Sequence, residues 1–253
     1  MNGEPKHDVV TAAILVIGDE ILSGRTKDKN IGYIAEYLTN IGIDLREVRV
    51  VPDVEEEIVA AVNALRARYD HVLTTGGIGP THDDITADAI AKAFGVGIDF
   101  DPRAVAILAE RYGKADLNEA RMRMARLPAG SELIANPVSK APGFSIGNVH
   151  VMAGVPAIMQ AMLDGLAARL PTGAKMLSRS VPAGMGEGRI AARLADVQKR
   201  FPDVMIGSYP GFDPQAGFTT TLVLRSRDEA RLGEATIAVE AMLAEVRAQQ
   251  PAS

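Results

Sequence analysis

The run Ala12-Ala13-Ile14-Leu15-Val16-Ile17, stopped by Gly18, restricts the fold of this chain more than any other segment. Consecutive apolar residues without polar alternation suit a strand covered on both faces, and such strands belong to parallel sheets flanked by helices. The next segments fit the same pattern. Ile31, Ile34, Ala35, Leu38 and Ile41 fall at helical spacing behind Asn30, which is placed to cap the helix, and Gly42 closes it. Ile43 to Val51 reads as a second strand, ended by Pro52. A helix after Asp53 carries Ile58, Val62 and Leu65 on one face, with Glu55, Glu56 and Glu57 in the first turn, where the helix dipole favours them. His71 to Thr74 is a third strand, running into a glycine-rich loop. Ala87 to Phe94 is the next helix, stopped by Gly95. Strands and helices in strict alternation predict an α/β fold with a doubly wound, mostly parallel sheet.

From Asp101 to Arg126 the sequence is helical and polar, broken at Gly113, and reads as an excursion off the sheet. Strands resume around Leu133, Phe144 and Val149 to Met152. A helix then runs to about Leu170 with Met159, Met162, Leu163 and Leu166 inward. Pro171-Thr172-Gly173 is the clearest boundary, predicting a larger α/β domain over 1–171 and a second, small α+β domain over 172–253. In the latter, strand, helix, two strands and helix come in succession, ending near Val246. That β-α-β-β-α order could suggest a KH-like RNA-binding module. A net charge of −5, a pI near 5.5 and the lack of a Gly-x-x-Gly clamp between basic residues argue against a nucleic-acid partner. With no cysteine, disulfides, thiolate zinc sites and cysteine nucleophiles are excluded. The polar start and the lack of an apolar run near the roughly 18 residues of a bilayer span set the expectations: no membrane partner and a cytoplasmic location.

Ligands of an open parallel sheet sit beyond the carboxyl ends of its strands. Two unusual loops occupy that edge. One is Gly18-Asp19-Glu20-Ile21-Leu22-Ser23-Gly24, with Asp28 and Asn30 close behind. The other runs from Thr75-Gly76-Gly77-Ile78-Gly79-Pro80 through Asp83-Asp84-Ile85-Thr86. Gly76, Gly77 and Gly79 let the backbone approach a ligand and aim N–H groups at one anion. Carboxylates beside a phosphate repel it unless a divalent cation bridges them, and Mg²⁺ prefers such oxygen ligands. The plainer alternative is a tight turn with Asp83 or Asp84 capping a helix. No Gly-Lys-Ser/Thr comes after the glycines, so this is no Walker A loop, and it is no GxGxxG fingerprint either. His82 could touch phosphate or be solvated. Arg121, Arg123 and Arg126 could reach a phosphate, or form a solvated helix face.

The stretch from Thr74 to Thr86 resembles the central motif of MoaB/Mog-like molybdopterin-binding domains, and more closely the version in the competence/damage-inducible protein A (CinA) family. Gly18 to Gly24 with Asp28 and Asn30, Asn136-Pro137-Val138 through Phe144, and Gly154-Val155-Pro156 resemble further stretches of that family. So does Gly184-Met185-Gly186-Glu187 at the start of a small-domain helix. The resemblance implies a nucleotide or pterin ligand and a homo-oligomer. It implies metal-dependent hydrolysis of the diphosphate of an ADP-ribose-like dinucleotide, the alternative being a protein that binds a pterin nucleotide without chemistry. In that scheme Asp84 and Asp83 serve catalysis, and Asp84, Asp19 and Glu20 hold Mg²⁺. Gly76, Gly77, Gly79, Thr75, Ser23, Asn30, Gly154 and Pro156 bind the ligand. The amidase domain of longer family members has no counterpart in these residues, so no deamidation is expected of them.

Overall fold

The computed structural model describes residues 9–113, 116–213 and 217–249. It separates into two compact units, Met1–Ala174 and Lys175–Ser253. In chain order the first unit contains β1 (Val10–Ile17), the short α1 (Asp19–Leu22), α2 (Asn30–Ile41), β2 (Ile43–Val51), α3 (Glu55–Arg66), β3 (His71–Thr75) and α4 (Thr86–Phe94). Then come β4 (Ile98–Phe100), α5 (Pro102–Tyr112), α6 (Glu119–Arg123), β5 (Arg126–Pro128), β6 (Glu132–Ile134), β7 (Gly143–Ile146), β8 (Val149–Met152) and α7 (Pro156–Ala167).

One sheet runs β2-β1-β3-β8-β7-β6. β2, β1, β3 and β8 are parallel, whereas β7 and β6 are antiparallel additions on the β8 side. β1 behaves as its composition requires. Ala13, Leu15 and Ile17 join Ile58, Val62, Leu65 and Ile90 on one face, while Ala12, Ile14 and Val16 join Ile34, Leu38, Met159 and Leu163 on the other. Parallel strands need crossovers. The crossover from β1 leads to β2 on one side, and the chain leaving β3 reaches β8 on the other. The sheet therefore reverses its winding between β1 and β3, where open α/β sheets open a crevice.

Between Asp101 and Arg126 the structure replaces one broken helix by two, α5 and α6. Arg126 itself starts β5, which pairs antiparallel with β4 and closes the base of the excursion. Asp101 and Asn118 cap these helices, accepting from Arg103 N and Arg121 N.

The second unit holds β9 (Leu177–Pro182), a 3₁₀ turn (Glu187–Arg189), α8 (Ala191–Arg200), β10 (Met205–Asp213), β11 (Gly217–Ser226) and α9 (Glu229–Ala248). Its antiparallel sheet, β10-β11-β9, packs Val181, Leu222 and Leu224 against Ile190, Val197, Leu232, Val239 and Leu243. No described helix is long and apolar enough to cross a membrane.

Candidate functional site

Four loops leave the carboxyl ends of β1, β2, β3 and β8, and the hydrogen bonds between them define the site. Gly18 N donates to Val51 O at 3.1 Å, and Asp19 N donates to Asp53 Oδ2 at 3.0 Å, tying the β1 loop to the end of β2. An added Cβ on Gly77 would lie 3.6 Å from Asp53 Oδ1, so Asp53 also borders the glycine loop. Burial raises the pKa of Asp53, and the negative charges of Asp19, Glu20 and Asp83 raise it further against the opposing Asp19 N–H. Carboxylates expected on two loops thus act electrostatically on Asp53, which lies on a loop the motifs did not mark.

The glycine loop is held by its neighbours at both ends. Gly76 N donates to Met152 O at 3.2 Å, while the buried Thr86 hydroxyl donates to Gly76 O at 3.0 Å. Gly76 has φ +107°, and a Cβ there would stand 2.1 Å from Ile17 O. Gly76 therefore serves close packing against β1, and its N–H is already engaged. The N–H groups of Gly77, Ile78 and Gly79 donate to no acceptor among the described residues, which leaves them for an anion. Gly154 packs against Gly76, its added Cβ falling 3.3 Å from the Gly76 Cα.

Asp84 does not cap α4, whose first residue is Thr86 and whose preceding residue is Ile85. Instead its Oδ2 accepts from Thr81 N at 2.8 Å and from Thr81 Oγ1 at 2.5 Å, folding the carboxylate back against Gly79. Glu20 folds back in the same manner over Gly18, where a Cβ would come within 2.5 Å of its carboxylate. Both carboxylates line one cleft of about 620 Å³ together with Gly79, Tyr112, Arg121, Asn136, Gly154 and Pro156.

Other expected residues stand apart from that lining. Asp83 is exposed. Asp19 is exposed, its electrostatic link to the site running through Asp53. Ser23 is exposed and donates to Glu20 O at 3.3 Å inside its own turn. Thr75 is buried, with an Oγ1 that finds no partner among the described residues.

Asn30 corrects a local expectation. The capping bonds of α2 come from Asp28 Oδ1, which accepts from Asn30 N and Ile31 N at 3.0 and 2.8 Å. The Asn30 side chain, 4% exposed, donates from Nδ2 to Gly154 O at 2.8 Å. It fixes the β8 turn rather than the helix.

The three arginines of the excursion separate. Arg126 makes a bidentate pair with Asp88 at 2.7 and 3.1 Å. Arg123 lines a small cavity of about 20 Å³ beside Gly77 and Gly79. Arg121 lines the main cleft and is not on a merely solvated face. His82 is solvated, its side chain 98% exposed.

Comparison with known proteins agrees with the fold. Residues 13–172 match the family model described as "Probable molybdopterin binding domain", and residues 175–251 match "FAD synthase, middle domain". A curated protein of Pyrobaculum calidifontis is 36% identical over 216 residues, covering 79% of this chain and 80% of that one. A CinA-like protein of Citrifermentans bemidjiense is 41% identical over 159 residues, or 60% of this chain and 38% of its own. A solved structure from Thermoplasma acidophilum, described as the protein CinA with unknown function, is 36% identical with a TM-score of 0.61. It is matched over 64% of this chain and 99% of that one.

Proposed function

We propose that this chain, which belongs to the CinA branch of the molybdopterin-binding domain family, is a divalent-metal-dependent nucleotide diphosphatase acting on an ADP-ribose-like dinucleotide. The observation that carries the reading is the juxtaposition of Ile78 and Gly79, from the stretch of free amides that begins at Gly77, with two carboxylates, Glu20 and Asp84, in one cleft. Among the described residues no three His, Asp or Glu side chains are gathered as a ready-made metal cage. That fits Mg²⁺ better than zinc, because Mg²⁺ is commonly held by one or two carboxylates and completed by substrate phosphate oxygens and water. Glu20 and Asp84 are the residues that would hold it, with Asp19 at the rim. A bound ion would neutralise charge on the diphosphate and lower the pKa of a bound water.

The chain's own groups account for the rest. The N–H groups of Gly77 to Gly79 receive phosphate oxygens and oppose the charge that grows on them as a P–O bond breaks. Asp84 Oδ2 is fixed by Thr81, and Oδ1 takes no hydrogen bond among the described residues. With Glu20 holding the ion, Oδ1 is the group available to accept a proton from the attacking water; with Asp84 on the ion, it positions that water instead. Asn30 holds the Gly154 turn, which packs against Gly76, and Pro156, first residue of α7, stiffens its exit.

A second reading, a pterin-nucleotide binder without chemistry, draws support from the same lack of a preassembled metal cage. Turnover separates the two. Purified protein with Mg²⁺, Mn²⁺ or Co²⁺ is expected to hydrolyse ADP-ribose or FAD. Binding without turnover of any nucleoside-diphosphate substrate in a broad panel favours the binder.

A further inference from the structure

One wall of the cleft is built by the excursion between β4 and β5, and it carries chemistry of its own. α5 ends at Tyr112 and α6 brings Arg121 over it, the guanidinium carbon 4.3 Å from the ring centroid. Arg121 Nη1 also donates to the Asp116 carbonyl, and Arg121 N donates to the Asn118 side chain at 3.0 Å. Residue and side chain are therefore held from three directions. Both members of the stack line the cleft that contains Gly79, Asp84 and Glu20, and Arg121 is the cation among those lining residues.

We infer that Tyr112 and Arg121 form the subsite for a planar nitrogen heterocycle, adenine or pterin, carried on the phosphate that the glycine loop receives. This rests on reading the cleft as a nucleotide or pterin-phosphate site. Guanidinium planes and phenol rings are flat surfaces on which heterocycles stack, largely independent of their hydrogen-bond pattern. A stack assembled before binding has already given up its rotamer freedom, so less is lost when the ligand arrives. A site for inorganic diphosphate alone has no use for such a surface. The polar segment thus supplies recognition of the ligand's organic end, while the amide cradle supplies the charge chemistry.

The experiment is calorimetric titration of the full chain, with Tyr112→Leu and Arg121→Lys, against ADP-ribose, a pterin monophosphate and inorganic pyrophosphate in the presence of Mg²⁺. Lys keeps the charge of Arg121 and removes its plane. Both variants are expected to lose about 10-fold or more in affinity for a heterocycle-bearing ligand, with pyrophosphate binding unchanged. The ligand whose affinity falls identifies the heterocycle. In turnover the loss is expected in KM rather than kcat. Equal weakening toward pyrophosphate, as from a pair that only fastens α5 to α6, overturns the inference, and so does unchanged affinity for all three. Wild-type protein that binds a heterocycle-bearing ligand without cutting it defeats the hydrolase reading alone, since the variant comparison still reads the subsite. Wild-type protein that cuts ADP-ribose while both variants keep its KM defeats the subsite alone.

Discussion

Gly79→Ala separates the chemistry of this site from its folding. Gly79 does not have a positive φ, so its backbone tolerates alanine. The obstacle is the Asp84 carboxylate, whose Oδ2 lies 2.6 Å from the added Cβ. To reach ordinary contact near 3.4 Å the oxygen has to move by about 0.8 Å. That movement strains or breaks its bonds from Thr81 N and Thr81 Oγ1. Both partners of the lost bonds can turn to water on this exposed loop, so the stability cost is about 1 kcal/mol. The reduced freedom of the unfolded chain offsets about 0.4–1 kcal/mol of it. The expected change in Tm is within about 4 °C. A displacement near 1 Å of a catalytic group costs about 100-fold in rate. Circular-dichroism melts and ADP-ribose turnover, measured on the same preparation, check both expectations. Wild-type turnover in Gly79→Ala would refute the assignment of Asp84, and a large loss of stability would refute the separation.

Gly76→Ala is expected to behave oppositely: its Cβ would meet the backbone Ile17 O at 2.1 Å inside the sheet, which cannot yield. A loss of about 2–4 kcal/mol in urea unfolding is expected, and a near-wild-type midpoint contradicts it. Asn30→Ala removes the buried donor to the carbonyl of the exposed Gly154, which can turn to water, and is expected to cost about 0.5–1.5 kcal/mol while weakening nucleotide affinity. Unchanged affinity would remove Asn30 from the site. His71 Nδ1 and His150 Nε2 lie 3.3 Å apart on β3 and β8, and Ser145 Oγ lies 2.9 Å from His150 Nδ1. Burial lowers both imidazoles, and it pushes His150 to about 3. Their folded pKa values lie below the unfolded 6.5, so their neutral forms stabilise the fold above that pH. The stability is lost as pH falls through 6.5 toward 3, His150 alone costing about 2–3 kcal/mol by pH 4.5. Urea midpoints at pH 7.5 and 4.5 for wild type and His150→Asn check this, and parallel pH dependences contradict it.

The parallel half of the first unit was legible because its signals are local. The apolar run of β1, the helical spacing of α2 and the glycines that stop α2 and α4 each act within a few residues. The antiparallel additions β6 and β7 were found only as short apolar points, since strands of three or four residues carry too little periodicity to show direction. Site residues divide along the same line. The glycine loop and the Asp19-Glu20 pair are contiguous, and their types alone suggest an anion and a cation. Asn30 sits at the start of a helix, where local spacing predicts a cap, yet its true partner is Gly154, 124 residues away. Asp53 enters the site only because β1 pairs with β2 on one side and β3 on the other, which brings Asp19 N and Gly77 to the same carboxylate. Arg121, Arg123 and Arg126 look equivalent in sequence, and only the fold gives them a cleft, a small cavity and an ion pair with Asp88.

The most direct test is ADP-ribose hydrolysis by wild type and Asp84→Asn, with and without Mg²⁺, monitored by release of AMP and ribose 5-phosphate. Wild type is expected to cleave only with Mg²⁺. Asp84→Asn is expected to lose at least about 100-fold in turnover, on the order of a removed catalytic group, while still binding ADP-ribose. Equal turnover by the two proteins, or cleavage that persists undiminished after chelation of the metal, contradicts a metal-dependent diphosphatase built on Asp84.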